Sequence, residues 1–119
     1  MGDLSQNFSR QEFACRCGCG QAAVKKELIV KLQQVRDNFG PLRVTSGYRC
    51  EEHNRRQGGT PGSAHRVGLA VDLECTIGLS RYLLVARLME AGFKRIGIGK
   101  NFVHADLDET KPKPSIWTY

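Results

Sequence analysis

Three residues well separated in the chain, His65, Asp72 and His104, have side chains suited to holding a divalent metal. Asp72 lies in the strand-like run GLAVDL, residues 68–73. Alternation places Leu69, Val71 and Leu73 on one face of that run and Ala70 and Asp72 on the other. An acid on an otherwise apolar strand is costly unless it is paired or binds a metal. His65 sits on the preceding loop, where a turn at Gly68 would fold it back over Asp72. In a second strand-like run, FVHAD, Phe102, His104 and Asp106 share a face. Two imidazoles and one carboxylate can form a catalytic zinc site with an open fourth position. Such a metal lowers the pKa of its water and polarises a carbonyl. Spacing alone leaves surface or structural roles open for all three residues, and the helical His-Glu-x-x-His motif is absent.

The remaining pattern supplies the elements that must position these groups. Ser9 and Glu12 form a capping-box signature for a short first helix. Val24, Leu28, Leu32, Val35 and Phe39 recur at helical spacing and stop at Gly40-Pro41. LRVTS reads as a strand, CEEHNRR as a short helix or turn, and QGGTPGS as an exposed loop. Ser80 is placed to cap a second long helix with Leu83, Leu84 and Leu88, ended by Gly92. RIGIG and FVHAD read as a closing strand pair with Lys100-Asn101 in the turn. This order predicts an α+β fold, a small and mostly antiparallel sheet with flanking helices.

A chain of 119 residues favours one domain over residues 1–119. No stretch approaches a membrane span. The start lacks a basic segment followed by an apolar run, so synthesis in the cytoplasm without a signal peptide is expected. The net charge of +6 suits anionic partners. Lys and Arg are nevertheless scattered, without a recognition helix or aromatic interleaving, so nucleic acid and membrane are not expected partners. A further cluster stands out in Cys15, Cys17 and Cys19, with Cys50 as a fourth thiol. It is compatible with a second, structural metal, with reduced thiols in a tight turn, or with a disulfide to Cys50.

The string TSGYRCEEHNRRQGGTPGSAHRVGLAVDL, followed by FVHAD, resembles the M15 family of zinc peptidases. These are D-Ala-D-Ala carboxypeptidases and related peptidoglycan peptidases, phage lysis enzymes among them. The likeness rests on Ser-Gly-Tyr-Arg, Asn54, Ser-x-His-x-x-Gly-x-Ala-x-Asp and a late His-x-Asp, and covers residues 8–106. It implies the small fold shared with the hedgehog signalling domain, with Zn2+ held by His65, Asp72 and His104. It implies Arg49 and Ser63 at the substrate, the guanidinium clamping a terminal carboxylate through paired hydrogen bonds. Tyr48 is expected to pack, and His53 to be a surface or capping residue. Three residues before the last histidine, many members carry the general base. Here that residue is Asn101, which cannot take a proton. Asp106 lies about 6–7 Å along the same strand face from His104. It is assigned to the site either as the base or as acceptor of a zinc histidine's ring N–H. Asp108 is expected to face solvent.

The implied activity is cleavage of peptidoglycan stem peptides at a bond involving D-alanine, by a monomer of phage or prophage origin acting on the wall after release. The alternative is a zinc-binding module of the same fold without catalysis.

Overall fold

The computed structural model describes residues 2–119. Helix α1, Lys26–Phe39, buries Leu28, Ile29, Leu32 and Val35 along one face. It ends at Gly40, whose φ of 114° favours glycine and whose N–H returns to the Arg36 carbonyl. Before it, Ser9 and Glu12 do form the capping box, over a single 3-10 turn, Arg10–Phe13, that buries Phe13 beside Phe8.

Strand β1, Val44–Ser46, leads to the short helix α2, Glu51–Arg56. A second 3-10 turn, Ala64–Val67, precedes β2, Ala70–Glu74. Helix α3, Gly78–Glu90, buries Leu84 and Leu88. Ser80 lies inside α3 and does not cap it; the N-cap is Ile77. The entry is fixed by Arg81 instead, whose guanidinium donates to the carbonyls of Cys75 and Lys100 at 3.3 and 2.8 Å.

Strands β3, Arg95–Ile98, and β4, Phe102–Asp106, form the expected pair. A fifth strand, β5, Ser115–Thr118, was not expected. The sheet order is β1-β2-β4-β3-β5, antiparallel except where β5 runs parallel to β3. A small, mostly antiparallel α+β fold results.

Val71, Leu73, Ile96, Val103 and Ala105 face a core that includes Leu28, Leu32, Leu84, Leu88 and Phe93. Truncating such a side chain to Ala costs about 2–5 kcal/mol. The helices cover this face. The opposite face is left to the polar residues that alternate with the core set. None of the described helices is long and apolar enough to cross a membrane.

Candidate metal centre

One register row crosses the whole sheet. Ser46 pairs with Asp72, Asp72 with His104, His104 with Gly97, and Gly97 with Trp117. Directly paired residues share a face, so these side chains line the side away from the core. The irregular register between Val44 and Ser46 sets Ser46 opposite Asp72. The adjacent row is Ala70, Asp106, Arg95 and Ser115.

His65 arrives from the 3-10 turn. Ser63 caps that turn by accepting the His65 backbone N–H at 3.3 Å. Gly68 closes it at φ 76°, and a Cβ there would lie 2.4 Å from the Ala23 carbonyl oxygen, so only glycine fits. The ligand atoms of His65, Asp72 and His104 all lie within 4.8 Å of one another, and all three residues are buried.

The hydrogen bonds constrain the protons. His65 donates Nδ1–H to the Gly47 carbonyl at 2.7 Å. That leaves the Nε2 lone pair turned to Asp72 Oδ1, 3.4 Å away. His104 meets carboxylates at both nitrogens, Asp72 Oδ1 at 2.9 Å from Nδ1 and Asp106 Oδ2 at 2.7 Å from Nε2. A neutral imidazole has one N–H, so one of these contacts sets a lone pair against a carboxylate oxygen. Such contacts need a cation, either a proton on each ring or one metal shared by the three residues. Two imidazoles and one carboxylate suit a zinc-type ion, and the donor set fits.

The charges follow the same geometry. Burial pushes the Asp72 carboxyl up, but hydrogen bonds and charge from His104 and His65 outweigh it and hold the group well below the usual carboxylate range. Burial lowers the basicity of His104, but its bonds to Asp106 and Asp72 and their charges outweigh that and raise it. Asp106 is likewise depressed against its burial, by His104, the Asp108 N–H and Arg95.

These groups open into a cleft of about 890 Å³. Arg49 reaches over it, with Nε donating to Ser46 Oγ at 3.1 Å and Nη2 to Asp72 Oδ2 at 3.4 Å. Ser63 lines it as well. His53, Arg95, Lys111 and Trp117 also line it, none of them expected there from the sequence. His53, expected as a surface or capping residue, is half-buried on this wall. Arg95 donates to Asp106 Oδ1 at 2.9 Å and lies over the Trp117 ring, 4.8 Å from its centroid. The β-branched and aromatic run SIWT was the available signal for β5.

One further expectation changes. Asp108 is buried, not solvent-facing. Its carboxylate accepts from the Thr110 N–H and hydroxyl and from Lys111 Nζ, holding the turn between β4 and β5. Asn101 sits exposed at the tip of the β3–β4 hairpin and is not among the residues lining the cleft. Tyr48 also lies outside the lining; its hydroxyl donates to Gln21.

Residues 6–106 match the family model described as Peptidase M15. The chain belongs to the Peptidase M15 family. No curated protein matches it.

Proposed function

We propose that this protein is a zinc-dependent peptidase that cleaves peptidoglycan stem peptides at a bond involving D-alanine. The observation that carries the reading is the convergence of His65 Nε2 and His104 Nδ1 on the Asp72 carboxylate, while the other nitrogen of each ring meets an oxygen of Gly47 or Asp106. Zinc bound there would polarise the scissile carbonyl and activate water for attack.

The chain's own groups do the rest. Asp106 accepts the His104 Nε2–H and so fixes which nitrogen turns to the metal. Arg49, held at the cleft by Ser46 and Asp72, takes the terminal carboxylate of the peptide, and Ser63 supports His65 at the rim. Arg95 and Lys111 add positive charge to the same wall, which suits an anionic peptide end. Asp106 is engaged with His104 and Arg95, and His53, the one further imidazole lining the cleft, is the proposed acceptor of a proton from water. Burial and the charges of Arg49 and Arg56 lower its basicity. The enzyme acts as a monomer of phage or prophage origin on the wall after release. Asn101, exposed and away from the cleft, favours one second reading, a zinc-binding module of the same fold without hydrolysis.

Incubating zinc-loaded protein with purified peptidoglycan, with mass analysis of the products, tests the proposal. Free D-alanine marks a carboxypeptidase, and shortened cross-linked stems mark an endopeptidase. Intact wall beside protein that holds zinc at His65 would select the module. Metal analysis of His65→Ala identifies that ion: the variant should lose one equivalent that the wild type keeps, and full retention would reject the site.

A further inference from the structure

Next to the segment that carries Arg49, four of the five cysteines converge. Cys15, Cys17 and Cys19 follow the 3-10 turn at Arg10–Phe13, and Cys50 is the N-cap of α2. Their sulfurs all lie within 4.8 Å of one another. Cys15 Sγ is 3.4 Å from Cys17 Sγ and 3.7 Å from Cys50 Sγ, and Cys17 Sγ is 3.7 Å from Cys50 Sγ.

These separations discriminate between chemistries. A disulfide requires about 2.05 Å and joins only two of the four sulfurs. Four thiolates around a tetrahedral zinc, each at about 2.3 Å, stand about 3.8 Å apart, close to the edges found here. Gly18 and Gly20, at φ 87° and 82°, let the one-residue spacing wrap three sulfurs to one side. The Cys50 N–H donates to Cys15 Sγ at 3.4 Å.

We propose that Cys15, Cys17, Cys19 and Cys50 form a second metal site, a closed set of four thiolates for a zinc-class ion. Binding displaces the thiol protons to solvent and involves no oxidation. A closed set offers no open position, so its role is structural. It ties the start of the chain to the segment that builds the cleft. In that segment the Gly47 carbonyl accepts from His65, the Tyr48 N–H donates to Phe13 at 2.9 Å, and the Arg49 N–H donates to the His65 carbonyl at 3.1 Å. The site stands whether or not the cleft hydrolyses peptides.

The test is metal and thiol analysis of the full chain purified under reductant and supplied with zinc. Wild type should hold two equivalents. His65→Ala should keep one, released when a mercurial blocks the thiols. The Cys17→Ser/Cys19→Ser double variant should lose one. Cobalt-loaded His65→Ala should show thiolate-to-cobalt charge-transfer absorption, absent from the cysteine variant. If the cysteine variant does not fold, thiol reactivity of wild type decides: slow reaction made fast by chelator supports the site. Four freely reactive thiols in folded, zinc-supplied protein would overturn it, as would a Cys15–Cys50 disulfide found by mass after that preparation.

Discussion

Asp106 Oδ2 lies 2.7 Å from His104 Nε2, at the ring nitrogen that Asp72 does not occupy. The carboxylate therefore stands behind the histidine, tied also to Arg95 at 2.9 Å. Asp106→Asn should weaken zinc affinity about 10- to 100-fold, with activity restored by excess zinc. Competition against a chelator measures this. Lost activity at unchanged affinity would make Asp106 the proton acceptor instead. His53→Gln should do the opposite, lowering turnover while zinc stays bound, and unchanged turnover would remove His53 from proton transfer.

Arg49→Ala removes a charged donor from the cleft while leaving the core intact. If the guanidinium holds the peptide carboxylate, kcat/KM should fall by about 1.5–3 kcal/mol of binding energy, roughly ten- to a hundredfold. The melting temperature should move by less than about 5 °C. Arg49→Lys should restore little, because an ammonium lacks the planar pair of donors. A large loss of stability with normal turnover would assign Arg49 to the fold.

Gly97 makes room for the aromatic end of the chain. A Cβ there would lie 2.7 Å from Trp117 Nε1 and 2.9 Å from Tyr119 Cε2. Gly97→Ala should displace β5 at a cost of about 1–3 kcal/mol. Trp117 is the sole tryptophan, so its emission should shift to the red, with weaker activity. An unchanged spectrum would show that the cleft wall tolerates the methyl group.

Asp108 gives a pH signature away from the candidate metal ligands. Burial raises its pKa, but bonds from Lys111 and Thr110 outweigh that and lower it from 3.8 to about 2. A depressed carboxyl stabilises the fold above its unfolded value, and that stabilisation is lost as pH falls from about 4 toward about 2. Denaturant titrations of wild type and Asp108→Asn should therefore differ at neutral pH and converge near the lower limit. A constant difference would mean that the Asp108 charge contributes nothing.

Much of the centre was legible because it depends on period-two alternation. Once GLAVDL and FVHAD are strands, Asp72 and His104 must leave the core face, and Gly68 must turn the chain back past His65. Helix α1 was legible for the matching reason, an apolar stripe stopped by glycine. The start of α3 was not: a guanidinium bond to distant carbonyls overrode the local cap signal at Ser80.

What only tertiary structure decided is how separate strands meet. The row from Ser46 to Trp117 depends on strand order and on parallel pairing of β3 with β5, a long-range choice with no local turn to announce it. His53, Arg95, Lys111 and Trp117 thus join the cleft from four different segments. Asp108 is buried because the chain turns back after β4, a turn its own carboxylate holds. The amino-acid order alone determined which faces the candidate metal-binding groups occupy, since alternation is local. It left open whether the four cysteines meet at one point, because closing Cys50 onto Cys15 across 35 residues depends on the packing of everything between them.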